Sequence, residues 1–594
     1  MARSPARFDR VSERDRLFAV WPALAAAAAY ANSLPGILFW DSEILILKNV
    51  FLRSFRYIPK ILTTSVMAGA GEITNYYRPL PVLLFLLQYQ AWGTSALGYH
   101  AVNVLLHAGN CALLFFWARS LGLTRDAALA AGLLFALHPL QAETVNYVDH
   151  QEGMLALLFG LSALLCRQRR PALSVFFWIC CLCSKEEGVV FAPILCALEA
   201  LRPEDGTPCA AGLRGVLERL RPWRLHACVF VAYVALHLTA FNFLRLPLLH
   251  FGAQRGAYAV LPLRVLTFAK VLLEYLKLVV WPSGLHFDRD IARVSTIFDA
   301  SAWRALSIDA FVFLVLWSAA RPFWLARLGL FWFLAGLLPY AGILPFNNVI
   351  AEHFLYIPLA GLALAAAAAG DAAARRWLPD RRWSWAPALA LLLALWTASI
   401  WRYNRVWQSP ITVYRTTLAG NPGSYRAANN LGVEYVRARQ FPAAKEAFEQ
   451  ALRIRPRYAP SLNNIGAVVE SQGKQEEALS WYQRSSEADP TYEPAHRNVA
   501  ATLYRLGRHR EALERARAAL ARHPEDVEAL DVVGAASLAL GDPASALKAF
   551  LQSGEISPCA RTFENIARAY ARLGRMPEAS EMLRRAKRLA PKKP

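Results

Sequence analysis

The sequence lacks a cysteine pattern that would support a disulfide framework or a metal site. Of its nine cysteines, only Cys209 and Cys559 lie outside apolar segments or their ends. Disulfide scaffolds and cysteine-histidine zinc sites use short, regular spacings, and no such spacing occurs here. The sequence therefore predicts no disulfide framework and indicates no metal ligands. It leaves the cofactor open.

Acidic residues are scarce relative to basic ones. The chain has 65 Lys and Arg against 44 Asp and Glu, a formal net charge of +21. The basic residues do not form one stripe of the kind that binds nucleic acid; many occur in short clusters between apolar stretches. This pattern is typical of membrane topology. We expect no nucleic-acid partner.

Long apolar runs make an ordinary soluble protein improbable. The 594 residues are 56% apolar, and the mean hydropathy is +0.26. Apolar segments long enough to span or nearly span the roughly 30 Å hydrocarbon layer occur at 17–40, 98–118, 127–140, 153–166, 171–184, 187–201, 226–246, 262–281, 303–319, 323–344, 354–370 and 385–402. Several are short, so the sequence predicts about 11–12 membrane helices in a domain spanning 17–402.

Basic clusters predict the orientation of this domain. Residues 1–16 are rich in arginine and are followed by no clear cleavage site, so we expect a cytoplasmic N-terminus and a retained first helix. Further basic clusters occur at 167–170, 202–224, 321–327 and 375–382. Placing them inside puts a first outer loop (41–97), the turns at 139–152 and 184–188, and the Glu352-His353 turn outside. Everything after 402 would also lie outside, which requires one segment between 226 and 281 to be re-entrant or surface-lying.

A repeat fills the rest of the chain. Pro422, Pro456, Pro490, Pro524 and Pro558 are each 34 residues apart, which is the tetratricopeptide period. Residues 403–594 are therefore predicted to form a solenoid of about five helical repeats, with a leading half repeat at Val406–Asn421. The fold class is all-α. We expect the concave groove of the solenoid to bind an extended acceptor protein or peptide above the outer face.

Two carboxylates stand where the first apolar stretch ends. Asp41 and Glu43 lie in the run Phe39-Trp40-Asp41-Ser42-Glu43. A charged carboxylate near the end of a membrane helix is energetically unfavourable, so its presence indicates a function. We interpret Asp41 and Glu43 as a candidate general base and its helper. Other polar residues expected on the same side are Arg78, His100, His138, Glu143, Lys185, Glu186 and Glu352. Cations beside carboxylates suit an anionic lipid head group next to a hydroxyl that must lose its proton.

An ordered set of motifs then carries a family resemblance. The set comprises Phe39-Trp40-Asp41-Ser42-Glu43, Tyr77-Arg78-Pro79-Leu80, Gly98-Tyr99-His100-Ala101-Val102-Asn103 with His107, His138-Pro139 with Glu143, Ser184-Lys185-Glu186, Glu352-His353-Phe354-Leu355-Tyr356-Ile357-Pro358 and Trp407. Together these motifs resemble the transmembrane and tetratricopeptide-repeat O-mannosyltransferases, which are related to the protein O-mannosyltransferases of the GT-C class.

The resemblance implies a fold, an activity and site roles. It implies a GT-C-like membrane bundle that transfers a sugar from a polyprenyl-phosphate carrier to a protein hydroxyl in a bacterial inner membrane, with the repeats in the periplasm. Asp41 matches the acidic motif of loop one, and Arg78 and Lys185 match family cations that would hold phosphate. The sequence departs from the family pattern at Ser42, which separates the two acids, at the His150-Gln151-Glu152-Gly153 run, and at His353, where the pattern has Arg.

Two other classes of function fit parts of the sequence. A non-catalytic membrane-anchored scaffold could use the repeats alone to assemble an envelope complex. A transporter would need paired charges in the middle of helices and repeat-related broken helices. Because the ionisable groups cluster at helix ends, the sequence favours the glycosyltransferase over the transporter.

Overall fold

The computed structural model describes residues 13–72, 74, 76–167, 169–203, 213–239, 260–342, 348–377 and 385–589. The chain divides into two compact units, Met1–Asn421 and Pro422–Pro594. In the described ranges the regular structure is helical, without strands, as the all-α prediction required. Most of the predicted basic N-terminus, the end of the predicted segment 226–246 and the Arg381-Arg382 pair lie outside the described residues.

Most of the longer helices of the first unit lie in the predicted apolar segments, but an apolar helix, Pro79–Trp92, lies in the predicted first outer loop, 41–97. The helices of this unit are α1 (Glu13–Ala29), α2 (Ile58–Ile61), α3 (Pro79–Trp92), α4 (Ala96–Ser120), α5 (Arg125–Leu137), α6 (Ala142–Asn146), α7 (Gln151–Cys166), α8 (Pro171–Leu182), α9 (Phe191–Leu201), α10 (Leu213–Leu220), α11 (Arg224–Leu238), α12 (Leu261–Val280), α13 (Ala300–Ala319), α14 (Trp324–Leu337), α15 (Tyr356–Trp377), α16 (Ala386–Asn404) and α17 (Pro410–Gly420). Helix α17, which the sequence assigned to the leading half repeat, groups with this unit.

Four described segments are long and apolar enough to cross a membrane. They are Ala96–Ser120, Ala300–Ala319, Glu352–Trp377 and Ala386–Gln408. The pair Arg125–Leu137 and Pro139–Asn146, bent by 52°, would count as a fifth. Several other predicted spans form helices shorter than the ~20 residues that cross the hydrocarbon layer, so the count of eleven or twelve stays a prediction.

Small residues allow helices of the first unit to approach closely. A Cβ atom on Gly329 of α14 would lie 2.4 Å from the carbonyl oxygen of Gly361 on α15, and one on Gly361 would lie 2.7 Å from that of Gly329. The two backbones are therefore in direct contact, a packing mode that is common between helices in membranes. This contact fixes α15, whose first residues follow Glu352 and His353.

The second unit is a row of helix pairs. The pairs are α18 (Tyr425–Arg437) with α19 (Phe441–Ile454), α20 (Ala459–Ser471) with α21 (Gln475–Ala488), α22 (Glu493–Arg505) with α23 (His509–Leu520), α24 (Val527–Ala539) with α25 (Pro543–Ile556), and α26 (Ala560–Arg572) with α27 (Met576–Leu589). The five pairs follow the 34-residue period and confirm the predicted solenoid.

Three of the five pairs are packed by an aromatic ring against a glycine. A Cβ on Gly466 would lie 2.7 Å from the ring of Tyr482, and Gly432 and Gly534 face Phe448 and Phe550 in the same way. In the third pair Ala500 and Ala516 occupy the two equivalent positions and are both buried. In the three glycine-containing pairs, the absence of a side chain on one helix makes room for the ring of the other.

Candidate functional site

The backbone around Asp41 is held by the segment that connects α5 to α7. The Asp41 N–H donates a hydrogen bond to the hydroxyl of Tyr147 (3.0 Å), and the Ser42 hydroxyl donates to Asp149 Oδ1 (2.8 Å). Trp40, just before Asp41, has a φ of +56°, a left-handed conformation that costs a non-glycine residue on the order of 1 kcal/mol. Such strain, held in place by surrounding contacts, is a feature of functional sites.

Asp149 lies near enough to Asp41 for the two carboxyl groups to interact electrostatically, and we refer to them as the carboxyl pair. Asp149 is 8% exposed, and burial together with the negative charge of Asp41 raises the pKa of Asp149 well above its usual range. Burial and the like charge both disfavour a second anion, so the protonated form of Asp149 is favoured beside Asp41. Two adjacent carboxyl groups with different environments are an arrangement that assigns acid and base roles.

Aromatic rings surround this carboxyl pair. The ring of Trp40 lies 5.0 Å from that of Phe287 and 5.8 Å from that of Tyr414. The ring of Tyr147, which binds the Asp41 N–H, lies 5.5 Å from Phe287. The rings support the strained segment and make one side of the site apolar, which strengthens the electrostatic interactions within it.

An ionic network occupies the start of α7. Arg78 forms salt bridges with Glu152 and, at 2.7 Å, with Glu186. Lys185 bonds Glu187 and also lies 3.4 Å from Glu152. The structure thus brings the predicted residues Arg78, Lys185 and Glu186 into one cluster, and Glu152 is the carboxylate that both cations share.

The carboxylates keep both cations charged. Burial would lower the pKa of Lys185, but Glu187 and Glu152 raise it overall. Burial likewise opposes the charge on Arg78, and Glu152 and Glu186 raise its pKa. For Glu187, burial raises the pKa more than Lys185 lowers it. Both cations are therefore charged, and an anionic substrate group would have to compete with Glu152, Glu186 and Glu187 for them.

A polar chain between helices fixes the start of α7. The side-chain amide of Gln151 donates to Asn103 Oδ1 on α4 (2.7 Å) and to Gln88 Oε1 on α3 (3.1 Å). All three side chains are buried, so their amides must be paired. These hydrogen bonds restrict the positions of Asp149 and Glu152, which lie on either side of Gln151.

Glu143 and Glu352 have separate cationic or imidazole partners. Glu143 Oε1 bonds His353 Nδ1 at 2.7 Å, and the ring of His353 stacks on that of His150 with centroids 3.9 Å apart. Glu352 Oε1 accepts from the His286 backbone N–H (3.0 Å) and from Arg289 (2.8 Å). Burial lowers the pKa of His150, and the nearby His353 and Lys185 lower it further, so its imidazole is neutral.

Three residues that the sequence predicted for the site make contacts outside the clusters described above. The His100 ring is buried against the segment before Asp41 and reaches the Ile37 carbonyl (3.3 Å). His138 Nε2 bonds the Val279 carbonyl (3.1 Å), and its Nδ1 accepts from Leu140 N–H at the bend after α5. Glu43 begins a π-helical turn, Glu43–Leu47, and is half-buried. His100 and His138 support the local fold.

The structure adds five residues to the candidates predicted from the sequence. They are Asp149, His150, Glu152, Arg289 and His353. Four of these were visible as polar residues at helix ends or as departures from the family pattern. Arg289 had no such signal, because its partner at the site is Glu352, which is 63 residues away in sequence.

These features define a helical integral membrane protein with a polar, charged site and a separate tetratricopeptide-repeat domain. The tetratricopeptide-repeat family model matches residues 429–493, 500–558 and 538–594. Among solved structures, a crystal structure of a MamA protein aligns with 28% of this chain and 90% of its own, at 19% identity and a TM-score of 0.26.

Curated relatives confirm the family resemblance of the motifs. The chain is similar to protein O-mannosyl-transferase Tmtc1 of Drosophila melanogaster, at 27% identity over 54% of this chain and 41% of the relative. It is also similar to human protein O-mannosyl-transferase TMTC3, at 25% identity over 68% of this chain and 47% of the relative. The chain is thus similar to protein O-mannosyl-transferases, and it spans about half the length of the relatives it matches.

Proposed function

We propose that this protein is a membrane glycosyltransferase that moves a sugar from a polyprenyl-phosphate carrier to a protein hydroxyl. The names of its relatives support transfer to proteins. The carrier is inferred from the family resemblance and from the paired cations Arg78 and Lys185. The basic clusters support an orientation with the site and the repeats on the outer side, and the family resemblance supports a bacterial inner membrane.

One observation carries the proposal: a four-residue segment connects the candidate base to the candidate phosphate site. Asp149, at one end, bonds Ser42 next to Asp41. Glu152, at the other end, bonds Arg78 and Lys185. Three residue steps span at most ~11 Å, so proton removal and leaving-group stabilisation would take place within one site.

The chemistry follows from these positions. Asp41 accepts the proton of a Ser or Thr hydroxyl as its oxygen attacks the anomeric carbon of the donor sugar. The bond from that carbon to the phosphate oxygen breaks, and Arg78 and Lys185 stabilise the negative charge left on the polyprenyl phosphate. Glu43 orients Asp41 or the acceptor. A single displacement of this kind inverts the configuration at the anomeric carbon.

The repeats have a role in this scheme that matches their fold. A tetratricopeptide solenoid offers an extended concave surface for a peptide segment. We propose that this surface recruits the acceptor protein. A scaffold without catalysis would use the same surface, and the experiment must separate the two.

The test uses the purified intact chain in lipid nanodiscs. It is mixed with envelope proteins from a strain that lacks the gene and with a panel of polyprenyl-phosphate sugars that includes mannose and glucose. Intact-mass spectrometry should show addition of one sugar to an acceptor with at least one donor. If every donor leaves the masses unchanged while the chain still captures envelope proteins, the scaffold function replaces the glycosyltransferase.

A further inference from the structure

The fold brings together two imidazoles and a carboxylate that are far apart in sequence. One ligand atom each from Glu143, His150 and His353 lies within 4.8 Å of the other two. Glu143 is 2% exposed and His150 is 7% exposed. The cluster joins α6, the turn before α7 and the residues before α15, so no spacing in the sequence could reveal it.

Among the described residues, an imidazole nitrogen of the cluster that could bind a metal has no hydrogen-bond partner. His353 Nδ1 bonds Glu143 Oε1 at 2.7 Å. His150 Nδ1 is buried and has no hydrogen-bond partner within the part of the chain that the structure describes. A buried polar atom without a partner costs about 1–3 kcal/mol, and an ion bound at this atom would remove that cost.

The ring geometry excludes two charged imidazoles. The rings of His150 and His353 stack with centroids 3.9 Å apart and planes 32° apart. Two imidazolium ions at this distance would repel strongly, whereas neutral imidazoles are compatible with stacking and are the form that binds metals.

We propose that Glu143, His150 and His353 bind one divalent transition-metal ion. Two imidazole nitrogens and one carboxylate oxygen favour Zn²⁺, Co²⁺, Mn²⁺ or Fe²⁺ over Mg²⁺ and Ca²⁺, which take oxygen ligands. Bonds of ~2.0–2.2 Å to one ion require its ligand atoms to lie no more than about 4.4 Å apart. Binding would therefore draw together the three ligand atoms, which now lie within 4.8 Å of one another. Water completes the coordination.

A metal ion bound at this site would change the electrostatic environment of the ionic network around Arg78 and Lys185. Glu152 lies two residues after His150, and its charge acts on His353 together with that of Lys185. An ion held by both histidines would fix their rings and add positive charge beside the cations that face a donor phosphate. This consequence rests on the proposed function, but the metal site itself does not.

The test measures metal binding to the intact chain, purified without a polyhistidine tag and stripped with a chelator. The probes are Co²⁺, read by its visible absorption bands and by elemental analysis, and Mg²⁺ as a competitor. We expect one Co²⁺ per chain at micromolar concentrations, with little loss in millimolar Mg²⁺. Glu143→Gln, His150→Gln and His353→Gln should each weaken binding on the order of tenfold or more.

Matched controls keep the result interpretable. His237→Gln removes a part-buried histidine of the same unit outside the cluster and should bind Co²⁺ like the unmodified chain. The thermal midpoint of each metal-free variant shows whether it folds. Three results would each overturn the proposal. They are the absence of saturable Co²⁺ binding, equal Co²⁺ binding by all variants that fold, and displacement of Co²⁺ by Mg²⁺ at an equal concentration.

Discussion

The neutral substitution Glu152→Gln tests the shared carboxylate of the ionic network. Glu152 bonds Arg78 and lies 3.4 Å from Lys185, and the Glu152 side chain is 13% exposed. At that separation the Coulomb attraction to Lys185 alone is about 5 kcal/mol with an effective dielectric constant of 20. Gln has the same shape, so the change removes charge without leaving a cavity.

The net loss should be smaller than the Coulomb attraction. Arg78 keeps Glu186 and Lys185 keeps Glu187, so neither cation is left alone. Breaking a buried ion pair costs about 3–5 kcal/mol, and the remaining partners put Glu152→Gln near the lower value. Glu186→Gln is the matched control, because Glu186 is 31% exposed and bonds Arg78; it should cost about 1 kcal/mol or less.

The assay is thermal unfolding of the intact protein in detergent, followed by tryptophan fluorescence. Glu152→Gln should lower the midpoint at least twice as far as Glu186→Gln. Equal shifts in the two variants would refute the claim that Glu152 holds the network together, because they would mean that the two carboxylates have the same electrostatic environment.

Three other predictions concern the repeat domain. Arg439 has a φ of +57° at the turn after α18, where the next repeats have Gly, so Arg439→Gly should stabilise this domain by about 0.5 kcal/mol, measured by pulse proteolysis in urea. Gly466→Ala should destabilise it by about 1–3 kcal/mol because the new Cβ would clash with Tyr482; in the same assay, Gly466→Ala should cost less in a Tyr482→Ala background. Cys559 is exposed and should react with a membrane-impermeant maleimide in cells with a permeabilised outer membrane; Cys559→Ser is the control, and labelling that needs cell lysis would overturn the orientation.

Local patterns were readable from the sequence. The 34-residue period reports the spacing of helix pairs directly, because each repeat contacts its neighbours in the chain. The carboxylates of Asp41 and Glu43 and the cations Arg78 and Lys185 could be recognised as site candidates because charge is rare at the ends of apolar segments. These are properties of single segments.

Long-range pairing was not readable. Ser42 meets Asp149, Arg78 meets Glu152, and Glu143 meets His353 only because helices α4 and α7 and the residues before α15 pack together. A single sequence holds no record of such pairs. Helix lengths were also overestimated in places: α8 and α9 occupy apolar stretches but have only 12 and 11 residues, because apolar runs form protein core as well as membrane spans.

The most direct test of the proposed function is the rate of sugar transfer by Asp41→Asn. The substitution keeps the shape of the side chain and removes the base, so kcat should fall by roughly 10²–10⁴ with the KM for the polyprenyl-phosphate donor little changed. Glu72→Gln, which neutralises an exposed acid of the same loop, should leave both constants unchanged. An Asp41→Asn variant that transfers sugar at a rate close to that of the unmodified chain would contradict the assignment of Asp41 as the base.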